Sequence, residues 1–273
     1  MNRIRVGRIN YINTYPLFYT ILKEKNTLPF DIVSAVPTAL NRMMREGDLD
    51  VSLISSSEYA TTSAPYLMYS DYCLASTGYV NSVLLIAQKD IKDLQDARIG
   101  LSTSSATSSN LIKIILKEFY GFDNTFIPVS CGEDLDRSLA TSDALLIIGD
   151  EALRFKNKGN YKVYDIGQLW MERTGYPVVF GIIAVNAQSI GTYKDTVEML
   201  FDKFHESHAH YKKRPEDIAD FAQSHSPLSL NFTDYFSHLT YIFSDELKKG
   251  LLYYYRMLAK CGLGHTVEQL RFY

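Results

Sequence analysis

The chain has 273 residues, 46% of them hydrophobic and 22% charged, with a formal charge of -3 and a pI near 6.1. This balance excludes a disordered chain and gives no global attraction to nucleic acid or to an anionic membrane, so neither is an expected partner and any bound anion must be held by local donors. The length suits one large or two medium domains.

From the N-terminus, "IRVGRIN" alternates as a strand, and Tyr15 to Lys25 reads as a helix with Pro16 in its first turn. "FDIVSAV" is the next strand, Thr38 to Glu46 a helix stopped by Gly47, "DVSLIS" a strand and "SSSEYA" a helix start. Such alternation predicts crossover units and a largely parallel sheet. "YLMYSDYCLAS" and "NSVLLIAQ" are successive strands, and "KDIKDLQDARIGLS" opens a second set of alternating units. That set holds "ARIGLS", a helix after it, a strand near "TFIPVS", a helix from about Asp134 to Leu139, and "ALLIIG" leading into "DEALRF". "PVVFGIIAVN" is a buried strand that carries the chain back. Helices follow over "TYKDTVEMLFDKFHESHAHYKK", "RPEDIADFAQSH" and Asp234 to Lys260, the last with Phe236, Leu239, Phe243, Leu247, Leu251, Tyr255 and Leu258 on one apolar face. The expected organisation is an α/β fold with two lobes: 1–88 with 186–273 as the first, 89–185 as the second.

Cys73, Cys131 and Cys261 are widely spaced without a CxxC pair, which favours idle thiols over disulfides or a zinc site. "MNRIRVGRIN" moves directly into a strand, and no run approaches the length of a membrane span, so a cytoplasmic location is expected.

Short polar side chains gather where strands hand over to helices. They are Asn10, Asn13 and Thr14; Ser55, Ser56 and Ser57; the run from Ser102 to Ser109; and Asp150 after "ALLIIG". In a doubly wound sheet these turns lie at the carboxyl ends of the strands, the edge where ligands bind. A helix start also presents unpaired N–H groups and a partial positive charge, suited to a carboxylate or phosphate. Any one of these side chains could simply cap a helix, and Ser55 with Glu58 has the spacing of a capping box. The run "STSSATSS" carries hydroxyls at seven of eight positions, more than one cap needs.

Other chemistries lack their patterns: there is no GxGxxG, GxxxxGK[ST], HExxH or GxSxG. His205, His208 and His210 sit in what reads as a solvated helix rather than a metal site. Trp170 and the 20 tyrosines read as packing residues. Neither a metal nor a cofactor is expected.

Six segments in order, "VGRINYINTYPLFY", "ALNRMMREGDLDVSLISSSEYA", "NSVLL", "IGLSTSSATSSNLIKIIL", "DALLIIGDEAL" and "YDIGQLWMERTGYPVVFG", resemble the chorismate dehydratases of the futalosine route to menaquinone. That family is a branch of the type II periplasmic-binding-protein-like fold, so the resemblance implies two lobes with mixed sheets and a cleft between them. A sister family, the dihydroxynaphthoate synthases, starts with an SPCPND-like segment and uses a histidine base. This chain has "INYINTYPL" and no histidine before His205.

The resemblance implies loss of water from chorismate to give 3-[(1-carboxyvinyl)oxy]benzoate, with the substrate's own enolpyruvyl carboxylate taking the proton, an essential asparagine at Asn13 and a ligand contact at Ser82. On that basis Ser105, Thr107 and Ser108 are expected to hold one carboxylate and Ser55, Ser56 and Ser57 the other end. Asn13 then orients the reacting groups, with Asp150 beside the ligand; Asp150 or Glu58 as a conventional base is the alternative. The rival class is a binding protein that holds a small carboxylate without reacting on it. Oligomeric state has no signature in the sequence.

Overall fold

The N-terminal apolar run forms β1 (Ile4–Ile9), and α1 (Tyr15–Lys23) starts with Pro16 in its first turn. β2 (Phe30–Ala35), α2 (Pro37–Glu46), β3 (Val51–Ser55), α3 (Ser56–Thr61) and the long β4 (Tyr66–Ser76) follow. A second set comprises β5 (Val83–Ala87), β6 (Arg98–Ser102), α4 (Thr107–Ile114), β7 (Thr125–Val129), α5 (Leu135–Leu139), β8 (Ala144–Ile148), α6 (Gly149–Arg154), β9 (Lys162–Asp165) and α7 (Ile166–Thr174). The chain closes with β10 (Val178–Asn186), α8 (Ala187–Lys213), α9 (Pro215–Ser224), α10 (Phe232–Ser237), β11 (Thr240–Ile242) and α11 (Asp245–Lys260). This computed structural model describes residues 3–130, 135–155 and 161–273; Cys131 and the expected helix start at Asp134 lie outside them.

Two mixed sheets result, in the orders β11-β4-β10-β3-β1-β2 and β7-β6-β8-β5-β9. Within each, three neighbouring strands pair in parallel and the remaining pairings are antiparallel, which corrects the largely parallel sheet expected from the alternation. The strands that cross between lobes, β10 on re-entering the first and β5 on entering the second, run against the parallel trios, while β4 and β9, which follow β3 and β8 through α3 and α6, keep the direction of the trio.

The sheets also divide the chain at other points than the expected boundaries. β5 belongs to the second sheet and β10 to the first, so the crossings fall at 77–82 and 175–177 rather than at 88/89 and 185/186. The charged stretch after Ala87 that suggested a boundary is only a loop within the second lobe.

Side-chain alternation explains how the second sheet is covered on both faces. Ala144, Leu146 and Ile148 of β8 face the main core, while Leu145 and Ile147 join Ile86, Leu139 and Ala152 in a smaller cluster on the other side. The main core runs from the first sheet through the junction into α4, so one continuous apolar cluster underlies both lobes.

The single helix expected over Asp234 to Lys260 is instead α10, β11 and α11. All seven residues of its apolar stripe are buried, so the period marked the core correctly. The break lies at Thr240–Ile242, a β-favouring triplet, and Ser244 starts a new helix by accepting the Leu247 N–H at 3.3 Å. Trp170 is fully buried, as packing predicted. Among the described residues no helix is long and apolar enough to cross a membrane, and no group of three or more His, Cys, Asp or Glu could hold a metal ion.

Candidate active site

Four strand ends and two crossings meet in one narrow cleft between the lobes. The first lobe contributes Ile9, Tyr11 and Asn13 after β1, and Ser55 at the end of β3. The second contributes Ser105, Thr107 and Ser108 around the start of α4, and Ile148 and Gly149 after β8. Val80, Ser82 and Val83 reach it from one crossing, Phe180 and Gly181 from β10 just past the other. Among the described residues, the lining contains no Asp, Glu, His, Lys or Arg.

Backbone geometry fixes several of these positions. Ser55 pairs with Gly181 in the β3–β10 register, and its N–H donates to Asn41 Oδ1 at 3.0 Å. Gly149 has φ +59, and a Cβ there would stand 2.8 Å from the Tyr11 ring, so only glycine lets the first-lobe turn lie against the end of β8. Ser82 is held from both sides: its carbonyl accepts the Gly149 N–H at 2.8 Å, and the preceding Val80 and Asn81 N–H groups donate to Asp165 Oδ2 at 3.1 and 2.7 Å. Asp165 also caps α7 through the Gln168 N–H at 3.1 Å.

The expected site residues divide into two groups. Asn13, Ser55, Ser82, Ser105, Thr107 and Ser108 all line the cleft. Ser56, Ser57 and Asp150 do not. Ser56 Oγ donates to the Val179 carbonyl at 2.6 Å, and Ser57 Oγ is hydrogen-bonded to the Tyr254 hydroxyl. These two hydroxyls hold α3 against β10 and α11, so the first lobe offers one serine at this helix start, not three.

Asp150 Oδ1 accepts the Ile12 N–H at 3.2 Å and fastens α6 to the turn before α1. Burial pushes its carboxyl up, against the pull of that N–H and of the Arg154 and Arg8 charges. Glu58 is no base for the cleft either. It pairs with Arg45 at 2.6 Å, burial pushes its carboxyl up despite that partner, and the capping box with Ser55 does not form.

Thr107 belongs to both groups. Its Oγ1 donates to the Phe180 carbonyl at 3.0 Å, accepts the Ser57 N–H at 3.2 Å and lies 3.2 Å from Ser56 Oγ. One hydroxyl on the cleft wall therefore also joins the lobes. Ser105 Oγ accepts the Ser108 N–H at 3.2 Å, supporting the first turn of α4 where the cap residue Ala106 has no side-chain acceptor. Asn13 is buried with its Oδ1 unpaired, and its backbone carbonyl accepts the Tyr241 hydroxyl at 3.0 Å. Sequence reasoning missed Tyr11 and Gly149, which sit beside the polar residues it singled out, and Phe180, Leu239 and the tyrosines behind Asn13, which lie far along the chain from any of those turns.

Two mixed α/β lobes with a cleft between them have the periplasmic-binding-protein-like fold. The periplasmic aliphatic sulphonate binding protein of Escherichia coli superposes with a TM-score of 0.68 at 13% identity, over 100% of this chain and 96% of that one.

Residues 4–260 match a family described as menaquinone biosynthesis, and the chain belongs to that family. A chorismate dehydratase of Thermus thermophilus is 30% identical over 200 residues, 67% of this chain and 70% of the relative. A 1,4-dihydroxy-6-naphtoate synthase of the same organism is 24% identical over 234 residues, 83% and 80% of the two chains.

Proposed function

We propose that this protein is a chorismate dehydratase, which eliminates water from chorismate to give 3-[(1-carboxyvinyl)oxy]benzoate at the entry to the futalosine route. The observation that carries the reading is a largely apolar cleft whose polar groups are hydroxyls and an asparagine, with no carboxyl, imidazole or ammonium group among the described residues that line it. Such a wall can bind carboxylates through neutral donors and the start of α4. It offers no general base of the usual kind.

Chorismate supplies what the wall lacks. Its ether-bearing carbon is vinylogous to the ring carboxylate, so removing that proton drives charge into the carboxylate before hydroxide leaves, and the ring becomes aromatic. Ser105 and Ser108, joined by Thr107 once its hydroxyl turns from the Phe180 carbonyl, stabilise the growing charge at the ring carboxylate, where donors in a closed site act most strongly. Asn13 and Ser82, on the facing side, orient the enolpyruvyl arm, whose own carboxylate takes the proton. Ser55 completes the grip. The dihydroxynaphthoate synthase alternative needs a histidine base, and no histidine lines the cleft among the described residues. The same reading expects the protein in the cytoplasm.

Incubating the purified protein with chorismate and following product by mass tests the assignment. Formation of the carboxyvinyloxy-benzoate is expected, and Asn13→Ala should abolish it with an unchanged melting profile. Chorismate bound but recovered intact would make the protein a binding protein, and turnover of the cyclic futalosine derivative would make it the sister synthase.

A further inference from the structure

Asn13 is backed by a segment far from it in sequence. α10 and β11 bring two buried tyrosines behind the turn that follows β1, and Leu239 between them lines the cleft itself. Tyr241 holds the Asn13 backbone carbonyl at 3.0 Å. Tyr235, 2% exposed, directs its hydroxyl toward the side chains of Ser82 and Asn13. It forms no hydrogen bond of standard geometry with either.

Two neighbouring side chains thus each carry a buried unpaired polar atom, the Tyr235 hydroxyl and Asn13 Oδ1. An isolated buried polar atom is costly, and here each is the natural partner of the other. A phenol has one proton to give, and an amide oxygen can only accept. When the two meet, the Asn13 amide is forced to one orientation, with its NH₂ turned to the cleft.

We propose that Tyr235 is a positioning residue that orients the Asn13 amide and the Ser82 hydroxyl for the substrate, an inference that rests on the chorismate dehydratase reading for its catalytic consequence. Burial raises the phenol well above its ordinary value, so it stays a neutral donor throughout the working range. Ser82 Oγ has only a 3.3 Å bond to the Val80 carbonyl, and it can exchange that bond for one to the phenol oxygen as ligand enters. The arrangement explains why a short helix from the C-terminal part of the chain reaches the centre of a site built by strand ends.

Tyr235→Phe in the full chain decides the matter because it removes the hydroxyl and keeps the ring. The expected result is a kcat for chorismate lower by roughly tenfold or more, a KM within about threefold of wild type, and a melting temperature unchanged or raised. A residue that merely packs would leave kcat alone. Selective labelling with ¹⁵N-asparagine adds a readout free of catalysis: the side-chain amide signal that Asn13→Ala removes should shift in Tyr235→Phe. A kcat within about twofold of wild type, in an active enzyme, would overturn the proposal. Should wild type prove inert toward chorismate, the functional reading fails and the amide signal alone judges the positioning claim: a shift supports it, an unmoved signal overturns it.

Discussion

The starts of α3 and α4 are both serine-rich turns at strand ends, one in each lobe, yet they spend their hydroxyls differently. At α3, Ser56 and Ser57 are turned into the protein, on the Val179 carbonyl and the Tyr254 hydroxyl, and only Ser55 faces the cleft. At α4, Ser105, Thr107 and Ser108 all line it. The difference comes from what packs outside. At α3 both Ser56 and Ser57 meet β10 or α11, whereas at the start of α4 only Thr107 does so and the flanking Ser105 and Ser108 keep their place on the cleft wall. A hydroxyl next to a helix start is therefore a hydrogen-bonding capacity, and its neighbours determine whether protein or ligand uses it.

Thr107 is the position where this contrast should break, and its removal has the largest expected effect. Thr107→Val leaves the Ser57 N–H and the Phe180 carbonyl without this partner and should cost about 2–3 kcal/mol of stability. Chorismate affinity should fall by roughly tenfold in the same variant. Denaturant titration and equilibrium binding measure the two losses. Stability unchanged alongside weakened binding would assign Thr107 to the ligand alone.

Ser57→Ala and Ser105→Ala sharpen the contrast from opposite sides. The first should lower stability by about 1 kcal/mol with KM unmoved, since its hydroxyl bonds only to protein. The second should raise KM by roughly fivefold while costing about 0.5 kcal/mol through loss of the Ser108 N–H acceptor. Equal KM effects in the two variants would erase the distinction between the helix starts.

The smallest effect is expected at Asp150, which ties the lobes together outside the cleft. Its carboxyl is raised in the folded state by burial, so the native protein holds this proton more tightly than the unfolded chain. Stability contributed by this group is therefore present below the ordinary carboxylate value and is lost as pH rises through the raised one. Asp150→Asn lacks that dependence, and its stability relative to wild type should improve as pH climbs through the carboxylate range. Melting curves at several pH values check the sign.

Much of the scaffold was legible in the sequence because it is written in local patterns. The strand "YLMYSDYCLAS" has the observed limits Tyr66–Ser76, Gly47 ends α2 in the left-handed conformation, and "ALLIIG" is fully buried as β8. The polar turns after β1, β3 and β6 all reach the cleft between the sheets. What a local pattern does not carry is direction. Ser56 and Ser108 look alike in the chain, and only the register of β10 and the placement of α11 send one inward and the other to the cleft. The tyrosines behind Asn13 were invisible for a related reason, since they arrive from some 220 residues away. The division of lobes was misread because β5 and β10 have the same apolar composition whichever sheet they join.

The pairing of β4 with β10 has a consequence for how the protein is made. Ser76 and Val178 are neighbours in the first sheet, yet the whole second lobe is spelled out between them. During synthesis β3 and β4 emerge early and each waits with an open backbone edge until β10 leaves the ribosome. The second sheet, whose strands lie between these two, is complete before the first can close. Vectorial synthesis thus finishes the inner lobe first, and the interval before β10 arrives is when the nascent chain is most exposed to wrong partners.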